Sequence, residues 1–173
     1  MTIRALLEIT VLTGGNTMDD WIDKLKHEED ATAQRADANA KTENRHADVV
    51  AEKAQDLWDA LVAQVKMDVE KVQQTFLGDP AKDVEYSVLN EGFSVARNGF
   101  PHIRIEVSWG KKTPTAAVWI FTQAYAGADE KSNREEISFC WATGDSVKMV
   151  FEGRSHMTAA TLSEQVIRKI LVR

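Results

Sequence analysis

The feature that most constrains this chain is a long stretch without helix breakers, because no glycine or proline occurs between Asn16 and Leu77. Thr17 is a suitable N-cap, and Gly78 followed by Pro80 is the order that typically ends a helix. The second half of the stretch repeats large apolar side chains at intervals of three and four residues. They are Leu57, Trp58, Leu61, Val62, Val65, Val69, Val72 and Phe76. This periodicity predicts a helix that buries one face.

The middle of the stretch, residues 27–46, has only alanines as apolar residues, so it predicts a helix with little to bury. Sixty helical residues would span about 90 Å, whereas a compact chain of this length has a radius of gyration of only about 16 Å. An unbroken helix would project from the body or dock on a second copy. The alternative is a bend near residues 39–44 that folds it into a helical hairpin. We favour two helical segments, with the weak middle exposed or dependent on a partner.

The residues after Pro80 change to a period of two, which is typical of strands. The clearest example is 103–109, where Ile103, Ile105 and Val107 alternate with polar residues. The final segment, residues 158–171, returns to helical spacing. The predicted fold class is therefore α+β, with a long N-terminal helix (possibly bent or hairpin-like) packed on a five- to six-stranded antiparallel meander and followed by a C-terminal helix.

Three regions are expected along the chain. Residues 1–17 are either strand-like, because residues 2–12 alternate, or a non-native leader, because Met18 opens a plausible translation start. Residues 18–46 form an acidic helical arm. Residues 47–173 form an α+β body.

The net charge of −6 comes from one region, because residues 18–78 hold 14 acidic and 8 basic side chains and the rest of the chain is balanced. This distribution argues against nucleic-acid binding, which needs a basic surface. No run approaches the roughly 20 apolar residues that cross a bilayer, so no membrane partner is expected. A single cysteine forms no internal disulfide. We expect a cytoplasmic protein.

No catalytic residues, metal site or cofactor are predicted. Glu43-x-x-His46 has the spacing of a di-iron carboxylate motif, but the second copy that such sites need is missing. Cys140 has no neighbouring signature of a nucleophile. We therefore favour a non-enzymatic role.

Two surfaces remain as candidates for binding. The outer face of the predicted sheet is expected to present His102, Arg104, Trp119 and Cys140, which could line a shallow ligand pocket or belong to an ordinary half-polar face. Trp21, Ile22 and Leu25 form a short apolar patch on the arm, suited to a partner.

The function predicted from the sequence is an interaction protein that uses its acidic arm for homo-oligomerisation, as a dimer or coiled coil, or for binding a protein partner. The alternative is a small-molecule-binding protein or cryptic enzyme that uses the outer sheet face. A third possibility is an adaptor whose arm contacts a basic partner, in which case salt would weaken binding.

Overall fold

The computed structural model describes residues 18–110, 113–156 and 158–172. The strand predicted over 2–12 and the N-cap predicted at Thr17 lie outside these residues. The first described element is one α-helix, α1, from Met18 to Thr75. The helical hairpin that we considered near residues 39–44 is not formed, because α1 runs through that segment without a break. Gly78, with φ of +84°, follows the helix as predicted.

The described chain divides into two compact units between Glu43 and Asn44. The first, the arm unit, is the helical segment 18–43. Between Trp21 and Glu43, Ala31 is half-buried and the other side chains are exposed. The arm unit therefore has no core of its own within its described residues.

The second unit, the body, begins at Asn44 and contains a seven-stranded antiparallel sheet whose strands lie side by side in chain order. The strands are β1 (Val84–Leu89), β2 (Gly92–Arg97), β3 (His102–Ser108), β4 (Thr115–Gln123), β5 (Lys131–Trp141), β6 (Val147–Phe151) and β7 (Arg154–His156). A second helix, α2 (Ala159–Leu171), follows β7. The α+β class and the meander are confirmed.

The strand count is higher than the predicted five to six. The additional strand, β7, lies in the segment that we expected only to link the sheet to α2. It pairs with β6 across a two-residue turn made by Glu152 and Gly153, both of which have positive φ. Such a turn suits a β-hairpin because its twist matches that of the strands.

The core of the body lies on one face of the sheet, beneath the two helices. α1 contributes Trp58, Leu61, Val65 and Val69, and α2 contributes a second apolar stripe. The buried residues of α2 that belong to this core are Leu162, Val166, Ile167 and Ile170. The strand residues that meet them alternate along β3 and β6 and through the first part of β4, as the period of two predicted.

A hydrogen bond between side chains joins α1 and α2 directly. The hydroxyl of Ser163 on α2 is fully buried and donates to Oδ2 of Asp68 on α1 at 2.7 Å. Thr158 caps the start of α2, since its hydroxyl accepts a hydrogen bond from the backbone N–H of Thr161. Both helices are thereby fixed on the same sheet face, which leaves the opposite face free of helices among the described residues.

Candidate functional site

The best-formed concavity of the body is a cavity of about 450 Å³ between α1 and one end of the sheet. Small and β-branched side chains of α1 form one wall, and aromatic side chains from the sheet form the other. The lining residues are His46, Ala47, Val50, Ala51, Ala54, Trp109, Thr113, Pro114, Phe139 and Trp141. We call this space the aromatic cavity. Its volume lies in the range of known small-molecule sites.

Two indole rings of the aromatic cavity are held by hydrogen bonds to backbone carbonyls. The Nε1–H group of Trp109 donates to the carbonyl oxygen of Thr113 at 2.8 Å, and that of Trp141 donates to Gly144 at 2.6 Å. The Trp109 ring also contacts the Phe139 ring, with centroids 5.1 Å apart. Because each polar indole group is already satisfied, the aromatic wall presents mostly apolar surface to the cavity.

His46 lies at the rim of the aromatic cavity. Its imidazole stacks on the Trp141 ring, with centroids 3.8 Å apart and planes inclined by 14°. Within the described parts of the chain, its ring nitrogens make no hydrogen bond. His46 therefore offers hydrogen-bonding capacity beside an apolar space.

The turn after β5 is tied to α1 next to the cavity. Nη2 of Arg45 lies 3.3 Å from Oδ1 of Asp145, and Nζ of Lys53 donates to the Asp145 backbone carbonyl. The Arg45–Asp145 pair is exposed, so it adds little to the free energy of unfolding. Together the two contacts position the turn, in which the Gly144 carbonyl oxygen accepts the hydrogen bond from Trp141.

Three of the four residues predicted for a ligand site lie on the same, outer face of the neighbouring strands β3 and β4. Strand pairing places Glu106, beside Arg104 on β3, opposite Trp119 on β4, and His102 lies two residues before Arg104 on the same face. Arg104 stacks over the Phe121 ring, 4.4 Å from its centroid, and pairs with Glu106. The charge of Arg104 is thus paired with Glu106 on its own strand and with Glu130, 3.5 Å from its Nη2.

Cys140 is not part of that group. On β5, Arg134 is the partner of Trp119, and Cys140 lies six residues farther along the strand. That separation is about 20 Å. The structure therefore disperses His102, Arg104, Trp119 and Cys140 along the sheet and does not gather them into the shallow pocket that the sequence suggested.

A second charged cluster is centred on Lys169 of α2. Nζ of Lys169 lies 2.8 Å from Oε2 of Glu135 and 2.5 Å from Oε1 of Glu152, and it also sits over the Phe151 ring. The hydrogen bond from Lys169 is the main cause that lowers the pKa of Glu152 below its ordinary value. Lys169 pairs with both carboxylates, an arrangement that is typical of a structural ion pair.

The predicted partner-binding residues lie on the arm unit. Trp21 is 51% exposed, Ile22 is 37% exposed and Leu25 is 47% exposed. A shallow groove continues from Leu25 along the same helical face. It is lined by Leu25, Glu28, Glu29, Thr32, Ala33 and Ala36. The apolar patch is thus accessible within the described arm.

Comparisons with protein-family models, with curated proteins and with solved structures give no match for this chain. Among the described residues, no cluster of three or more His, Cys, Asp or Glu side chains has the placement of a metal site. Neither α1 nor α2 has a stretch long and apolar enough to cross a membrane.

Sequence reasoning missed the aromatic cavity. It noted His46 only as half of a metal motif, and it treated Trp109 and Trp141 only as strand residues. The available signal was the set of small residues Ala47, Ala51 and Ala54, which precedes the large apolar stripe of α1 at helical spacing. Small side chains at these positions leave space beside the helix, but only the fold shows which aromatic side chains lie opposite them.

Proposed function

We propose that this protein is a non-enzymatic interaction protein that associates with a second copy of itself through the arm unit, as an antiparallel helix pair. The observation that carries the proposal is the exposure of Trp21, Ile22 and Leu25 on one helical face. A single helix gains little stability from propensity alone, and most helices depend on packing of an apolar face. A partner that covers these side chains supplies that packing.

The sizes of the side chains support an antiparallel arrangement. Large apolar residues stand at the start of the arm face, and the small residues Ala33, Ala36 and Ala40 follow at helical spacing. A register that places Leu25 of one copy opposite Ala36 of the other puts large side chains against small ones along the pair. Such alternation lets facing helices interdigitate.

Charge supports the same arrangement. Residues 18–30 hold six acidic and two basic side chains, whereas residues 31–43 hold two of each. A parallel pair would place the two acidic halves together, and like charges on facing helices repel. An antiparallel pair places each acidic half beside a neutral one.

The proposal is tested by the mass of the full chain in solution, measured by light scattering over a range of concentrations. We expect a species of twice the 19.3 kDa monomer mass. Burying the exposed part of Leu25 contributes about 1 kcal/mol per copy. Leu25→Ser should therefore raise the dimer dissociation constant about tenfold or more. Leu77→Ser is the matched control, because Leu77 is 90% exposed and lies outside the arm face.

Disulfide formation between copies tests the orientation, in a Cys140→Ser background. In the proposed register, Thr32 of one copy lies close to Thr32 of the other, whereas the two Ala40 residues lie roughly 28 Å apart. Thr32→Cys should form covalent dimers on oxidation and Ala40→Cys should not. Cross-linking of both variants would indicate a parallel pair. A chain that stays monomeric at its highest attainable concentration would refute self-association.

A further inference from the structure

The aromatic cavity provides a site that is independent of the arm unit. We propose that it binds a planar, uncharged aromatic molecule that carries one hydrogen-bonding group. The argument rests on three properties of the cavity: the shape of its walls, the scarcity of charge in its lining, and the position of His46.

The walls favour a flat ligand. On one side, Ala47 and Ala51 present only methyl groups from α1. On the other side stand the rings of Trp109, Phe139 and Trp141. A thin methyl-lined wall facing aromatic rings leaves a slot, and aromatic rings gain most from a partner that stacks or meets them edge to face.

The lining disfavours a charged ligand. Apart from His46, the residues that line the cavity carry no ionisable side chain. The nearby cations Arg45 and Lys53 are engaged by Asp145 on the adjoining turn. A charged molecule would lose hydration on entering and would find no opposite charge to replace it.

His46 supplies the polar contact. Stacking on Trp141 orients its imidazole, His46 is one of the residues that line the cavity, and its ring nitrogens make no hydrogen bond to the described residues. A single donor or acceptor on the ligand therefore finds a partner there. The hydrogen bonds that hold Trp109 and Trp141 mean that the site is largely formed before binding, which lowers the entropic cost of association.

The probe for this site is 2-aminoanthracene, a planar, uncharged aromatic amine whose fluorescence responds to the polarity of its surroundings. Titration of the full chain should show saturable binding of one probe per chain, with energy transfer from tryptophan. Ala51→Phe places a ring inside the cavity and should weaken binding roughly tenfold or more. Ala63→Phe is the matched control, because Ala63 is exposed on α1 and does not line the cavity.

Two further comparisons separate the parts of the proposal. His46→Phe keeps a ring against Trp141 but removes the hydrogen-bonding nitrogens, so binding of the amine should weaken about fivefold. Competition by anthracene, which is planar but lacks the amine, should be equal in wild type and in H46F. Leu25→Ser should leave probe binding unchanged, which distinguishes this site from the apolar patch of the arm unit.

The proposal fails if binding of the probe does not saturate at one per chain, or if A51F and A63F bind it equally. Circular dichroism of both variants establishes that they are folded. Ala47→Phe is the second cavity-filling variant, and it should reproduce the loss if A51F does not fold. Equal weakening of the amine and of anthracene by H46F would overturn the assigned role of His46.

Discussion

The hydrogen bond between Ser163 and Asp68 should stabilise the body by an amount that the structure allows us to estimate. Ser163→Ala removes the hydroxyl that donates to Oδ2 of Asp68 at 2.7 Å. Alanine has nearly the same volume as serine, so the change leaves no sizeable cavity and isolates the loss of the hydrogen bond.

The magnitude follows from the surroundings of the two groups. A hydrogen bond to a charged group contributes about 1.5–3 kcal/mol to the free energy of unfolding. Asp68 is half-buried and keeps a second donor, Nε2 of Gln64 at 3.0 Å, so part of its solvation survives the change. We therefore expect S163A to lower the free energy of unfolding by about 1.5–2 kcal/mol.

The assay is urea unfolding of the full chain, followed by circular dichroism, for S163A, Asp68→Ala and the double variant. The coupling energy of this cycle should be about 1–2 kcal/mol, because each single change removes the same bond. Ser132→Ala, an exposed serine on β5, serves as the control and should change stability by less than about 0.5 kcal/mol. A coupling energy near zero would refute the view that this bond holds α2 on α1.

Two other changes test the sheet and the charged cluster. Since the hydrogen bond from Lys169 lowers the pKa of Glu152 from its ordinary 4.5, the stabilisation from the carboxylate is present above about pH 4.5 and is lost as the pH falls through the lowered pKa. The difference in unfolding free energy between wild type and Glu152→Gln should therefore shrink in acid, and a difference that is independent of pH would contradict this. Gly92→Ala should destabilise the body by more than about 2 kcal/mol in urea unfolding, because an added Cβ would lie 1.8 Å from the carbonyl oxygen of Val107. Gly110→Ala, where a Cβ meets no atom within 4 Å, is its control, and equal stabilities for the two variants would refute the steric argument.

Local periodicity was sufficient to predict the elements that bury a regular face. The stripe from Leu57 to Val72 predicted the part of α1 that packs on the sheet, and the alternation of 103–107 predicted β3. β7 was missed because its hairpin turn begins with Glu152, whereas turns of this geometry usually begin with Asn, Asp or Gly. Glu152 also pairs with Lys169 on α2, and a long-range contact of this kind has no local signal.

The candidate sites were harder to predict because they depend on register. Alternation placed His102, Arg104 and Cys140 on one sheet face, but alternation does not tell how far apart residues of different strands lie. Only the pairing of β3, β4 and β5 shows that Cys140 belongs to the other end of the sheet. The same limit applies to the aromatic cavity, whose two walls come from segments more than 50 residues apart in the chain.

The aromatic cavity nevertheless follows from the sizes of the side chains on α1. Where the helix lies directly on the sheet, it carries Trp58, Leu61 and Val65, which are buried and fill the interface. Where it passes the aromatic wall, the corresponding face carries Ala47, Ala51 and Ala54. Interiors are normally packed to the density of organic crystals, and larger side chains at these positions would close the gap. The small residues and the rings opposite them therefore account for the apolar space in which we propose that a flat ligand binds.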